Sequence, residues 1–219
     1  MAALLLIVAA GSGSRLGRGE PKALVPLAGR PILAWALDAL LPLHFARIVV
    51  AAPRDRTEEF SRIAGGGARV VAGGDTRSES VRRGVEALAP ADGDIVAIHD
   101  AARPFVTAVE TEAVLRAAQE TGAAIAATRV VDTVKRTASG RVVETVDRDG
   151  LFGAATPQAF RADVLRRAMA NGGEATDEAA LCERLGIPVA VVPVSRLSFK
   201  ITTPEDLELA EAILARRER

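Results

Sequence analysis

Apolar residues follow two rhythms along the chain. Six short runs are apolar at nearly every position: Leu4–Ala9, Ile48–Ala52, Val70–Ala72, Ile95–Ile98, Ala123–Ala127 and Val189–Val194. A strand turns successive side chains to opposite faces, so such runs predict strands buried on both sides, the mark of a mainly parallel sheet between two helical layers. Between them, apolar residues recur every three or four positions over Ile32–Leu41, Thr57–Ile63, Ser78–Leu88, Ala108–Glu120 and Thr176–Leu185, which predicts covering helices. A last helix is expected from Pro204 to about Arg216, with Thr203 as N-cap and Pro204 at the first helical position. In such α/β sheets ligands bind beyond the carboxyl ends of the strands. The unusual loops fall there: Gly11–Lys22, Gly73–Arg77 and His99–Pro104.

One segment breaks the alternation. From Asp132 to Val146, β-branched residues flank Ala138-Ser-Gly140, which predicts a hairpin with a short turn. It is rich in charge and poor in large apolar side chains, so it is expected to project from the body. No internal repeat or interdomain linker is visible, and residues 1–219 read as one domain.

Composition narrows the function. Twenty-eight Lys and Arg balance 28 Asp and Glu, so no global field attracts nucleic acid or an anionic membrane, and a polyanionic substrate needs a local cluster of cations. Six Phe, one Trp and no Tyr leave the core to Ala, Val, Leu and Ile. The lone Cys182 excludes an internal disulfide and reads as a small buried hydrophobe. Met1–Ala10 is apolar, but no basic residue precedes it and it runs into a glycine loop, unlike a signal peptide. No stretch reaches the roughly 20 apolar residues of a membrane span. The expectation is a soluble, cytoplasmic protein.

The first strand runs into Ala9-Ala-Gly-Ser-Gly-Ser-Arg-Leu-Gly-Arg-Gly-Glu-Pro-Lys22. Glycines let backbone N–H groups approach a polyphosphate, and successive amides form an anion nest. The dinucleotide-binding fingerprint fails here: Leu16 stands where a third small residue is required, and the second strand ends in Ala-Pro-Arg54 with no acid. The Gly-Lys-Ser/Thr of a P-loop is absent. What the loop offers instead is Arg15, which can fork two phosphate oxygens, and Lys22, a compact point charge. That pair suits a triphosphate attacked at its α-phosphorus.

Those residues resemble the opening signature of the nucleoside-diphosphate-sugar pyrophosphorylase-like nucleotidyltransferases. Further motifs are similar to the 2-C-methyl-D-erythritol 4-phosphate cytidylyltransferase family: Gly73-Gly-Asp-Thr-Arg-Ser-Glu-Ser-Val81, His99-Asp-Ala-Ala-Arg-Pro104, Asp132-Thr-Val-Lys135, Thr145-Val-Asp-Arg148, Ala155-Thr-Pro-Gln158, Thr176-Asp-Glu-Ala179 and Lys200-Ile-Thr-x-Pro-Glu-Asp206. The resemblance implies a three-layer, Rossmann-like nucleotidyltransferase domain with a projecting β-arm at about residues 130–150. It implies CMP transfer from CTP to the polyol phosphate with release of pyrophosphate, in the non-mevalonate route to isoprenoid precursors. A cytidylyltransferase for ribitol 5-phosphate or another polyol phosphate is the alternative. By the same resemblance, Arg15 and Lys22 are catalytic, Gly11 and Gly13 belong to the phosphate-cradling loop, and Ala9, Ala10, Gly74, Asp75 and Ser80 hold the cytosine. Asp100 and Ala101 lie by the ribose and acceptor, and Arg103, Thr176 and Lys200 contact the acceptor. Thr133 and Arg148 reach a neighbour's site across a homodimer. Mg²⁺ is the expected cofactor, carried mostly by the CTP phosphates with Asp100 beside it. Asp75 has a rival reading as a cap of a helix or turn, Thr156 is read as shaping a turn, and His99 as structural. The chain departs from the family pattern at Val194 and Ser198, where Gly and Asn are common before the Lys, and this bears on the setting of Lys200.

Overall fold

The computed structural model describes residues 1–219 except Ser12, Ser14, Arg15, Arg18, Gly172, Glu218 and Arg219. Its centre is a seven-stranded sheet of β1 (Ala3–Val8), β4 (Arg47–Ala52), β5 (Arg69–Ala72), β6 (Ile95–Asp100), β7 (Ala123–Arg129), β10 (Phe152–Arg161) and β11 (Ala190–Pro193). The short strands β2 (Pro26–Leu27) and β3 (Arg30–Pro31) pair with each other, as do β8 (Val134–Ala138) and β9 (Arg141–Val146). The helices are α1 (Ile32–Leu40), α2 (Thr57–Ala64), α3 (Arg77–Leu88), α4 (Ala108–Thr121), α5 (Ala162–Asn171), α6 (Glu178–Arg184) and α7 (Pro204–Arg217). The large sheet runs β11–β7–β10–β6–β1–β4–β5, parallel throughout except for β10, which is antiparallel to both of its neighbours.

The uninterrupted apolar runs have the expected cause. Leu4 and Leu6 of β1 enter one buried cluster with Val81, Val85 and Leu165, while Leu5 and Ile7 enter another with Leu37, Val50 and Phe60. Helices thus cover both faces, and every residue of β6 is buried. Close approach matters on the first face: a Cβ on Gly84 of α3 would lie 2.3 Å from Leu6 Cδ1, so only glycine lets this helix sit so close to β1. β1 pairs with β4 on one side and with β6 on the other, and Val8 stands opposite Asp100 at the carboxyl end. The chain turns off in opposite directions on either side of β1, which opens a crevice there.

β10 and α5 were not among the predicted elements. The β10 run contains Gly153, Thr156, Pro157 and Gln158, which break the apolar pattern, and proline removes a ladder donor from a central strand. The strand takes it at an irregularity, where its register with β7 shifts between Ala154 and Gln158. Thr156 is therefore a buried strand residue rather than the shaper of a turn. The hairpin is as predicted: β8 and β9 join through Ser139 and Gly140, with φ of 47° and 74°. Positive φ at both central residues matches the right-handed twist of paired strands. Almost all of both strands is exposed.

Candidate active site

A cavity of about 440 Å³ opens where β1 and β6 end. Its floor is Val8, Ala9 and Ala10 on one side and Asp100, Ala101 and Ala102 on the other; Gly11, Gly13, Lys22, Ala23, Gly74, Asp75, Thr76, Arg77, Ser80 and Lys200 complete the wall. Of the expected site residues, Ala9, Ala10, Gly11, Gly13, Lys22, Gly74, Asp75, Ser80, Asp100, Ala101 and Lys200 are thereby brought together. Arg15 lies outside the described residues.

Each wall is fixed from beneath. Gly13 has φ of +69°, and a Cβ there would lie 2.8 Å from Glu20 O and 2.9 Å from Lys22 N, so the loop folds directly onto the backbone that carries Lys22. Lys22 opens a short 3₁₀ turn whose next two residues, Ala23 and Leu24, are buried anchors. On the opposite wall the N-cap of α3 is Thr76, whose hydroxyl accepts from Glu79 N, while Glu79 Oε2 accepts from Asp75 N. The capping role considered for Asp75 thus belongs to Thr76, and Asp75 lines the cavity. Ser80 is buried; its hydroxyl accepts from Gly74 N at 3.0 Å and donates to Thr76 O at 2.9 Å, holding the glycine segment against the cavity.

Asp100 is the electrostatic centre. Its Oδ2 accepts from Lys200 Nζ at 2.7 Å, and its Oδ1 lies 3.7 Å from Arg77 Nε. Burial pushes this carboxyl up, but Lys200, Arg77 and Arg103 outweigh burial and hold it below the usual carboxylate range. Its backbone N–H donates to Thr156 Oγ1 at 3.0 Å. The same hydroxyl sits 3.1 Å from His99 Nδ1, and His99 Nε2 lies 3.1 Å from Arg103 O. The carbonyl of Arg103 can only accept, so Nε2 carries the ring proton and donates to it, and in the neutral ring Nδ1 accepts from the Thr156 hydroxyl. Burial pushes the imidazole down to about 4. His99 is thus neutral and structural, as expected from the sequence.

The loop bearing Lys200 is stitched to the loop after β6. Ile201 N donates to Ala102 O, Arg103 Nη1 donates to Ser198 O at 2.9 Å, and Phe199 packs on Phe105 with ring centroids 5.7 Å apart. Position 198 serves through its carbonyl, so the departure from the family pattern there leaves this contact intact. Arg103 itself stands beneath the Lys200 loop and does not line the cavity. Thr176 is exposed on the loop before α6. Thr133 and Arg148 lie at the base of the β8–β9 arm, where Arg148 Nη1 donates to Val131 O, and neither lines this chain's cavity.

Two residues that sequence reasoning left without a role emerge, with a third, Thr156, whose role differs from the turn expected of it. Arg77 lines the cavity, Glu178 holds it, and Thr156 ties β10 to Asp100. Arg77 and Glu178 lie inside the quoted motifs, but their pairing spans 101 positions and has no local signal. Among the described residues no group of three or more His, Cys, Asp or Glu side chains converges on a metal position. Asp100 and Asp75 are the carboxylates that line the cavity, a set that fits a hard cation shared with substrate phosphates rather than one caged by protein.

The profile of the IspD family, 2-C-methyl-D-erythritol 4-phosphate cytidylyltransferase, matches residues 3–216. A 2-C-methyl-D-erythritol 4-phosphate cytidylyltransferase of Prochlorococcus marinus is 45% identical over 222 residues, covering 97% of this chain and 98% of that one. The enzyme of the same name from Deinococcus radiodurans is 46% identical over 212 residues, 95% of this chain and 88% of that one. The crystal structure of the Thermus thermophilus enzyme superposes with a TM-score of 0.84 at 39% identity, over 99% of this chain and 100% of the other. The fold, the cavity at the β1–β6 crevice and a match over nearly the whole length agree: the chain belongs to the 2-C-methyl-D-erythritol 4-phosphate cytidylyltransferase family.

Proposed function

We propose that this chain transfers CMP from CTP to 2-C-methyl-D-erythritol 4-phosphate, giving 4-diphosphocytidyl-2-C-methyl-D-erythritol and pyrophosphate in the non-mevalonate route to isoprenoid precursors. The observation that carries it is a cavity walled by a glycine loop and lined by Lys22, Arg77 and Lys200, with its one histidine neighbour locked neutral beneath it. The acceptor's phosphate monoester is already an anion near neutral pH. One of its oxygens attacks the α-phosphorus of CTP, forming a new P–O–P bridge, while the bond to the bridging α–β oxygen breaks and its electron pair leaves with pyrophosphate. No enzyme nucleophile is required. Cys182 is buried, with its thiol pushed up to about 11, and is unsuited to be one.

The task is to bring two anions together and to stabilise charge moving toward the leaving group. Preorganised donors do this better than water does. Lys22 faces the phosphates, with Arg15 assigned alongside it from the family pattern. Lys200, held by Asp100, orients the acceptor. The backbone beside Ala9, Ala10 and Gly74 and the small residues there suit a pyrimidine edge and leave little room for a purine. Mg²⁺, held by CTP phosphates and Asp100, would neutralise phosphate charge.

Two further parts belong to the proposal. The active unit is a homodimer joined through the β8–β9 arm, which supplies Thr133 and Arg148 to the neighbour's acceptor. The arm pairs only with itself among the described residues and exposes Val142 and Val143. An isolated two-stranded hairpin is marginal in water, so it calls for a second surface. The location is cytoplasmic, in keeping with one reduced, buried cysteine; no described helix is long and apolar enough to cross a membrane.

Pyrophosphate release tests the reading. With CTP, 2-C-methyl-D-erythritol 4-phosphate is expected to exceed ribitol 5-phosphate in kcat/KM, and ATP and GTP to be poor donors. A preference for ribitol 5-phosphate, or equal use of a purine nucleotide, overturns it.

A further inference from the structure

A row of alternating charges runs from the cavity into the protein. Lys200 meets Asp100, Asp100 faces Arg77 Nε, and Arg77 Nη1 donates to both oxygens of Glu178, at 2.8 and 3.0 Å. The two ends differ in surroundings. Arg77 opens α3 and lines the cavity, whereas Glu178 opens α6, is 2% exposed and lies outside the lining. A carboxylate sealed from water is tolerated only when paired. This one pairs with a cation that lines the cavity. The contact occupies Nη1 alone, so Nε and Nη2 make no hydrogen bond to another described residue.

We propose that Glu178 is a positioning residue of the transfer reaction: it clamps Arg77 so that the remaining guanidinium N–H groups meet a substrate phosphate oxygen. The inference rests on the proposed activity. A guanidinium matches phosphate geometry and is always charged, but its long stem has many rotamers. Anchoring one nitrogen on a buried carboxylate selects one of them. The anchor at the first turn of α6 is itself set, since Asp177 Oδ1 accepts from Ala180 N and Oδ2 accepts from Gln158 Nε2 of β10. Ser78 Oγ adds a second tie, to Ala175 O. An ion pair that merely joined α3 to α6 would have no need of a partner inside the cavity.

The test is a double-mutant cycle on the full chain, with thermal unfolding measured beside steady-state kinetics for CTP and for the polyol phosphate. Wild-type turnover confirms the underlying activity first; its absence would sink that reading rather than this one. Arg77→Ala and Glu178→Ala are each expected to lower kcat/KM by about 10²-fold, the scale of a misplaced contact. The double variant should fall little below Arg77→Ala alone, because Glu178 acts through Arg77. Glu178→Gln keeps the shape and one acceptor oxygen and should lie between wild type and Glu178→Ala. If Glu178→Ala does not fold, the cycle is read with Glu178→Gln. A loss expressed in KM for CTP assigns the triphosphate as the target of Arg77, and one in KM for the polyol phosphate assigns the acceptor; either supports the proposal. Losses that multiply in the double variant, or folded Glu178 variants with lowered stability and wild-type kinetic constants, overturn it.

Discussion

Asp100 and His99 are neighbours in sequence with opposite fates. Asp100 stays ionised because Lys200, Arg77 and Arg103 outweigh its burial, whereas for His99 complete burial outweighs the support of Asp100 and of the bond to Arg103 O, and the ring stays neutral. The sign of the histidine's contribution follows. Between its unfolded value, about 6.5, and its folded value of about 4, the unfolded chain holds a proton that the folded chain does not. Acid therefore favours unfolding across that window, and stability is level above it. Urea midpoints should fall from pH 7 to pH 5 in the wild type and fall less in His99→Gln; identical pH dependence would contradict the assignment. Lys22 carries a different expectation. Loss of one preorganised donor costs about 10²–10³ in rate, so a folded Lys22→Ala variant should lose that much in kcat/KM. A folded variant within about threefold of wild type would remove Lys22 from the mechanism. Most of the cavity was legible in the sequence because its residues sit in three strand-end loops. Arg77 and Glu178 were not assigned, since ion pairs between distant segments leave no local pattern. Thr156 was misread because a Thr-Pro pair ordinarily signals a turn.

Strands and helices were read best where burial imposed a period. β1, β4 and β6 are apolar on both faces, and their predicted limits differ from the observed ones by only one or two residues. β10 escaped because its polar residues are used internally: Thr156 bonds Asp100 N, and Gln158 Nε2 donates to Asp177 at 2.8 Å. A strand whose buried side chains serve the site looks like a loop. The contact between α3 and β1 gives this level its own test. Gly84→Ala forces a Cβ into Leu6, and overpacking of this kind costs about 1–3 kcal/mol. Chemical denaturation should register that loss. Since Thr76, Arg77 and Ser80 ride on the same helix, kcat/KM should fall as well. Unchanged stability would mean that α3 shifts away from the sheet at no cost.

At the scale of the whole chain, the arm pairs only with itself among the described residues, and neither Thr133 nor Arg148 lines the cavity. Arg148, at the foot of that arm, is therefore expected to act in the neighbour's site. Mixing Arg148→Ala subunits with Lys22→Ala subunits places both lesions in one site of the mixed dimer and leaves the other intact, so activity should partly return. Continued inactivity despite confirmed subunit exchange would assign Arg148 to its own chain or to no site. Nucleotidyl transfer is defined by which bond of the nucleotide breaks. CTP labelled at the α-phosphorus and, separately, at the γ-phosphorus should be incubated with 2-C-methyl-D-erythritol 4-phosphate and the products separated. The α label is expected in a cytidine-containing diphosphate diester and the γ label in pyrophosphate, in equal amounts. Transfer of the γ label to the acceptor, or its appearance as orthophosphate formed directly from CTP, would contradict nucleotidyl transfer.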